Sequence, residues 1–308
     1  MLLPHYDAPD AIWFAKLAIW WGSWLVPPLL ALLAWRIATR WRRWRPLRRG
    51  GALLGLLAGL LFVQARFVEP HMIVVRESAL GLGIPARIAL VGDFHLGLYK
   101  GPGFLDRVVD RLNALDVDAV LIAGDYTDEP DRALAELIAP LRRLKAPAYS
   151  VPGNHDTPGP GRSRGTHFAP LLREELLRLG VRPVEGEVVD AGAFLVVGLG
   201  DHYAGKDQPV ASQQPQPGQK PRLVLVHNPD SVMKLPSGWA RLALSGHTHG
   251  GQLRVPGLYR RLTPTNHGFD RGLHDFAPLP TYVTAGLGET ALPMRWMNPP
   301  SIDVLDLH

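Results

Sequence analysis

Cysteine is absent from the 308 residues. That excludes a disulfide framework, a thiolate metal cage and thiol catalysis, while leaving the compartment open. Charge is sparse at 20% of residues against 46% hydrophobic, which excludes a largely disordered chain. Acidic residues are missing from 36–49, where Arg36, Arg40, Arg42, Arg43, Arg45, Arg48 and Arg49 crowd together. Without those seven the formal charge of +5 falls to −2. Basicity is therefore one local run, and no nucleic-acid partner is expected.

Charge is also missing from residues 17–35, LAIWWGSWLVPPLLALLAW, and from 50–65, GGALLGLLAGLLFVQA. Both read as membrane-spanning helices, over about 12–35 and 50–67, the second long enough if Arg66 snorkels. Pro27 and Pro28 predict a kink that a neighbouring helix must cover. Gly51, Gly55 and Gly59 recur every four residues, so small side chains line one helix face where a second helix, in this chain or in a homodimer, can approach. The arginine loop 36–49 is expected on the cytoplasmic side, which puts everything after it outside. A twin-arginine export signal at Arg42 and Arg43 predicts the same final side. The loop also suits contact with anionic lipids. The chain thus divides into a two-pass anchor, 1–68, and one domain, 69–308.

Within that domain, short apolar runs end in Gly, Asp or His: RIALVGD, AVLIAGD, APAYSVPGN, AFLVVGLGD, RLVLVHN, RLALSGH, TYVTAGLG and SIDVLDL. They read as buried strands. Residues 103–115, 131–145 and 168–180 carry helical spacing, with Pro102, Pro130 and Pro170 near their starts. The alternation predicts a layered α/β domain with mixed sheets. The polar, proline-rich stretch 208–221 reads as a surface loop.

Residues able to bind metal recur where the runs end: Asp93 and His95, Asp125 and Asp128, Asn154 with His155 and Asp156, His227, then His247 and His249. Strand ends are where sites form in open α/β sheets. In extended backbone the pairs Asp93/His95 and His247/His249 would each leave on one face, so two pairs can meet at one centre. Mixed oxygen and imidazole donors suit Mn, Fe, Zn and similar divalent ions.

GDFH (92–95), GDYTD (124–128), GNHD (153–156), His227 and GHTH (246–249) together resemble, in order, the five blocks of the calcineurin-like metallophosphoesterases. GHTHGGQLRVPG, DRGL, TYVTAGLGE, ALPMRW and NPPSIDVLDL are similar to its membrane-anchored bacterial branch, which includes exported phosphodiesterases and UDP-2,3-diacylglucosamine hydrolases. The resemblance covers about 86–308. It implies a four-layer sandwich of two mixed β-sheets flanked by helices, and two divalent ions, Mn first, with Fe, Zn or Mg as options. It implies that Asp125 bridges the ions, that Asp93, His95 and His249 complete one site, and that Asn154, His227 and His247 complete the other. A bridging hydroxide would attack phosphorus, and His155 would protonate the leaving oxygen or stabilise the transition state, oriented by Asp128. Asp156 is expected to anchor a loop.

The expected activity is hydrolysis of a phosphodiester or pyrophosphate, with a lipid-linked substrate favoured by the tether at the bacterial inner membrane. A UDP-2,3-diacylglucosamine pyrophosphatase facing the cytoplasm is the alternative, and an inactive metal-binding scaffold the second. Arg162 and Arg164, in a Gly- and Pro-rich loop after His155, are candidates for holding substrate phosphate. Arg271 is expected in an ordinary salt bridge. His5, His71, His167, His202, His267, His274 and His308 match no ligand block.

Overall fold

Residues of strand Arg87–Val91 alternate between two cores: Ile88 and Leu90 join one apolar cluster, Ala89 and Val91 another. This period of two is what a strand buried on both faces requires, and it recurs in Leu223 and Leu225 against Val224. The computed structural model of the chain describes residues 11–157 and 168–308.

The helices are α1 (Ala11–Gly22), α2 (Val26–Arg40), α3 (Pro46–Val63), α4 (Pro102–Asn113), α5 (Leu134–Ile138), α6 (Phe168–Arg178) and α7 (Tyr259–Leu262). The strands are β1 (Val74–Ala79), β2 (Arg87–Val91), β3 (Leu96–Gly97), β4 (Ala119–Ile122), β5 (Thr127–Asp128), β6 (Ala148–Ser150), β7 (Val181–Pro183), β8 (Val188–Asp190), β9 (Leu195–Gly198), β10 (Arg222–Leu225), β11 (Leu242–Ser245), β12 (Gly272–His274), β13 (Thr281–Val283) and β14 (Ser301–Asp306). Two six-stranded sheets run β1-β14-β2-β4-β6-β7 and β12-β13-β11-β10-β9-β8, and β3 pairs with β5. Both large sheets are mixed: β14 is antiparallel to β2 and β12 to β13, whereas β2, β4 and β6 are parallel neighbours, as are β9, β10 and β11.

The sheets face each other across Ile88, Leu121, Val196, Leu223 and Leu244. Helices α4, α5 and α6 close the outer face of the first sheet with Leu105, Val109, Leu137 and Leu176. The outer face of the second is covered by the 3-10 segment Pro229–Lys234 and by Trp239, so this layer is thinner than the flanking helices expected. All eight expected runs contain strands, and residues 131–145 form a short α-helix followed by 3-10 turns. Strands β1, β7, β8 and β12 had no sequence expectation, being short or edge strands with partly exposed faces.

Four features of the N-terminal hairpin bear on the expected kink, loop and glycine face. Its first helix is interrupted by a 3-10 turn, Ser23–Leu25, just before Pro27 and Pro28, and the Ser23 hydroxyl donates to the Trp20 carbonyl at 2.7 Å. The arginine loop is shorter than 36–49: Arg36 and Arg40 lie in α2 and Arg48 and Arg49 in α3. Arg66 does not snorkel. It is buried, donates to the Ser23 hydroxyl at 3.0 Å and stacks 4.1 Å over the Trp20 ring. Finally, the glycine stripe is largely taken up within the chain: a methyl on Gly59 would run into Leu30 of α2, and one on Gly55 would meet Leu33 at 3.6 Å, while Gly51 faces open space.

The helical run continues to His71 and is packed into the domain at its end. The Arg295 amide donates to the Ala65 carbonyl at 2.9 Å, the Asn298 amide to the Glu69 carboxylate at 2.5 Å and Lys100 to the Pro70 carbonyl at 2.5 Å. Two helical stretches, Ala11–Arg43 and Pro46–His71, are long and apolar enough to cross a membrane, and only 6% and 11% of their most apolar windows is buried.

Candidate metal centre

Parallel strands β2, β4 and β6 of the first sheet and β10 and β11 of the second end at one edge. The loops after them carry, respectively, Asp93 and His95, Asp125, Asn154 and His155, His227, and His247 and His249. Three groups of donor atoms lie within 4.8 Å of one another: Asp93, His95 and His249; His95, Asp125 and His155; and Asp125, His227 and His247. The Nε2 atoms of His95 and His249 are 2.9 Å apart. His227 Nε2 is 3.0 Å from Asn154 Oδ1, 3.2 Å from His247 Nδ1 and 3.3 Å from Asp125 Oδ2.

The expectation that each Asp/His or His/His pair shares a face in extended backbone does not hold. Asp93, His95, Asp125, His247 and His249 all have positive φ, between 45° and 69°. The chain has left the strand before the donors appear, and the turns aim them. Such backbone costs about 1–2 kcal/mol per residue, so five instances in one place must be held by their surroundings. The Asp93 carboxylate accepts from the His247 amide at 2.9 Å, and the Asp125 carboxylate from the His155 amide at 2.8 Å. Asp156 anchors its loop by accepting from the amides of Asp125, Tyr126 and Gly153 at 2.8–2.9 Å. Gly153 has no room for a side chain, because a Cβ there would run into the Asp125 carboxylate.

The donors fit a metal centre. His227 Nδ1 lies 2.7 Å from the Ala123 carbonyl, which can only accept, so Nδ1 carries a proton and, whenever the ring is neutral, Nε2 presents the lone pair. That lone pair faces carboxylate and amide oxygens, an arrangement of acceptors that needs a positive charge among them. Supplied by protons alone, the charge distorts the site. Burial pushes Asp93 up to about 7 despite His227. Burial lowers His227, yet Asp125 and Asp93 outweigh it and hold it at about 10. Burial, then His155, drives His95 down to about 3, and burial, then His95, takes His249 well below its usual value. Neutral imidazoles beside carboxylates are the ligand state that a divalent cation binds. Among the described residues, Nδ1 of His95 and of His249 also meet no hydrogen-bond partner.

His155 is a quarter exposed at the mouth, edge-on to His95 with centroids 4.7 Å apart, and its Nδ1 lies 3.5 Å from Asp128 Oδ1. His155 also falls within donor distance of His95 and Asp125, which its expected role apart from the ligands did not anticipate. Arg162 and Arg164 lie outside the described residues. Among the described residues Arg271 makes no salt bridge: its guanidinium donates to the Met297 carbonyl at 3.3 Å and to Asn298 Oδ1.

Several neighbours carried no signal in the sequence. Lys16, from α1, reaches both oxygens of Asp128 at 2.8 and 2.9 Å. Tyr203 Oη lies 3.4 Å from His247 Nε2. Asp201, noticed only as the end of a strand run, is fully buried and raised by burial, and among the described residues its Oδ1 has no partner. Arg295, at 0% exposure, donates to the carbonyls of Ala285, Gly286, Gly288 and Asn298, bracing the loop that backs Asp93.

Comparison with known proteins places this arrangement. A sequence model of the calcineurin-like phosphoesterases matches residues 86–251, which takes in all five strand-end loops. The chain is 29% identical to the phosphodiesterase YaeI of Escherichia coli over 232 residues, 72% of this chain and 82% of that one. It is 29% identical to the uncharacterized metallophosphoesterase YkuE of Bacillus subtilis over 263 residues, covering 82% and 91%. It is 30% identical to an uncharacterized metallophosphoesterase of Helicobacter pylori over 230 residues, 72% of this chain but only 59% of that longer relative. With the matched segment spanning more than half the chain and holding every converging donor, the protein belongs to the calcineurin-like phosphoesterase family of metal-dependent phosphoester hydrolases.

Proposed function

We propose that the protein is a membrane-anchored phosphodiesterase that binds two divalent ions, manganese foremost, and cleaves a phosphodiester or pyrophosphate bond of a lipid-linked substrate at the outer face of a bacterial cell membrane. The observation that carries the reading is the convergence of seven donors from five strand-end loops on one buried edge. Asp93, His95 and His249 would hold one ion, Asn154, His227 and His247 the other, with Asp125 shared between them. Bound there, the ions supply positive charge to the phosphoryl oxygens and lower the pKa of attacking water.

The chain's own groups do the rest. Asp156 keeps the Asp125 and Asn154 loops in register through three amides. His155, partly exposed at the mouth, is placed to give a proton to the departing oxygen. Asp128, at 3.5 Å, steadies its Nδ1. Such proton transfer contributes about 100 to 10,000-fold.

The substrate class rests on the surroundings of this mouth. Helix α1, whose Lys16 touches Asp128, turns Ile12 and Phe14 outward at 62% and 58% exposure, apolar surface of a kind that suits acyl chains. Orientation rests on the hairpin. Its seven arginines gather where α2 hands over to α3, and the catalytic domain follows the far end of the 18-residue α3. At 1.5 Å per residue that helix is about 27 Å long, close to a hydrocarbon core. Arginines inside therefore mean catalysis outside.

The test is hydrolysis by the detergent-purified protein with added Mn, using an artificial phosphodiester, a phosphomonoester, a phosphatidyl lipid and UDP-2,3-diacylglucosamine. The reading expects turnover of the diester and the phospholipid, cut at least 100-fold by His155→Ala with bound metal retained. Turnover of the UDP-lipid alone would overturn the orientation and the substrate. No turnover with two ions bound would leave a scaffold.

A further inference from the structure

We propose that Lys16, on the first helix of the anchor, is a positioning residue for the Asp128–His155 pair, so that the membrane anchor completes the catalytic apparatus. The inference rests on the role given above to His155.

Helix α1 reads AIWFAKLAIWWG, apolar apart from this one residue. A lysine on such a helix would ordinarily stretch toward water or lipid head groups. Here the side chain turns inward and is 11% exposed. Its ammonium sits 2.9 and 2.8 Å from the two oxygens of Asp128 and 3.4 Å from Glu129 Oε1. The two partners are 112 residues apart in sequence.

Asp128 needs such a partner. Its side chain is 7% exposed, and its backbone is fixed by the pairing of β5 with β3, where Asp128 opposes Gly97. A buried carboxylate without a counter-charge is strongly destabilising. Donors on both oxygens also fix the rotation of the carboxylate plane, leaving Oδ1 directed at His155 Nδ1. Lys16 thus stands one group behind the histidine and sets the group that orients it.

The position of α1 is held independently of this ion pair. Trp20 stacks on Tyr99 of the catalytic domain with centroids 5.4 Å apart and planes at 25°. The Tyr99 hydroxyl donates to the Ala291 carbonyl at 3.0 Å. One turn further, Ser23 accepts from Arg66 of the returning helical run. Helix α1 is therefore clamped both to the domain and to the second span, and the ammonium arrives at Asp128 only while that docking persists.

The experiment compares kcat, KM and bound metal for the full chain in detergent, using an artificial phosphodiester, across Lys16→Met, Lys16→Arg, Asp128→Asn, His155→Ala and the Lys16→Met, Asp128→Asn double variant. Loss of a group that orients a site residue typically costs 10 to 100-fold. Lys16→Met is expected to lower kcat by about that factor, with KM and metal content unchanged. Lys16→Arg should recover most of the loss, and Lys16→Met should cost less than about twofold once Asp128 is Asn. Parental kcat in Lys16→Met, or a loss that multiplies in full onto Asp128→Asn, would overturn the proposal while His155→Ala remains impaired. Parental kcat in His155→Ala would instead remove the reading on which the proposal rests. If the methionine variant does not fold, Lys16→Gln serves in the same comparison.

Discussion

Asp93, His95, Asp125, His247 and His249 adopt the left-handed backbone that side chains other than glycine rarely occupy. Strain concentrated on five donors is retained because the neighbouring chain leaves no alternative, and glycine supplies much of that constraint. Gly153 lies against the Asp125 carboxylate, and Gly246 against that of Asp93. Gly153→Ala is expected to push Asp125 out of place and to lower turnover by about 100-fold, the cost of roughly an ångström of misplacement. Bound metal should fall with it, which metal analysis of the purified variant checks. The donors themselves were legible in the sequence because each block sets polar residues at the end of an apolar run, with a glycine before them in four of the five. Lys16 was not, since a contact across 112 residues leaves no spacing to read. Asp201 was equally hidden, because an aspartate ending a strand run looks the same whether the turn it caps is exposed or, as here, fully buried.

At the scale of elements, β2, β4, β6, β10 and β11 act as a rack that delivers five loops to one edge, and the C-terminal segment braces that edge from behind. Arg295 is the centre of the brace. It pairs with Glu289 at 3.2 Å and caps the carbonyls of Ala285, Gly286 and Gly288, and Gly286 and Gly288 press on Asp93, Phe94 and His95. Replacing Arg295 by Met leaves Glu289 to Lys100 alone and takes a donor from four buried carbonyls, each acceptor left unsatisfied costing about 1–3 kcal/mol. The expected result is a lower thermal midpoint together with weaker metal retention, read by melting the purified variant with and without Mn; a stable variant that kept its metal would show the brace to be dispensable. The buried strands were visible as apolar runs, and the three helices of the first outer layer as helical spacing. Edge strands such as β7 and β8 were invisible, because three residues with a mixed burial pattern carry no period. The break after Gly22 was foreseen as a proline kink. Its consequence, that α1 lies against the catalytic domain through Trp20 and Lys16, depends on tertiary contacts that hydropathy does not record.

For the whole molecule, the N-terminal hairpin and the α/β domain form one packed unit. Lys100, Glu289, Glu69, Asn298 and Arg295 join the end of the second long apolar helical stretch to the loops behind Asp93 and His249. The apolar side chains left uncovered are concentrated on the hairpin, where Trp21, Leu25, Leu29, Trp35, Leu54 and Leu57 are each more than half exposed. A surface of that kind is stable in lipid and costly in water. The glycine stripe, which was also read as a dimer face, is spent mainly on holding α3 to α2. The proposed function makes phosphodiester cleavage depend on two ions held by the strand-end donors. The most direct measurement is a titration of Mn into the metal-stripped, full-length protein in detergent, following bound ions and hydrolysis of an artificial phosphodiester in the same samples. No turnover is expected in the stripped protein, with two ions bound per chain at saturation and activity appearing as the second site fills. Undiminished turnover with no bound metal would contradict it.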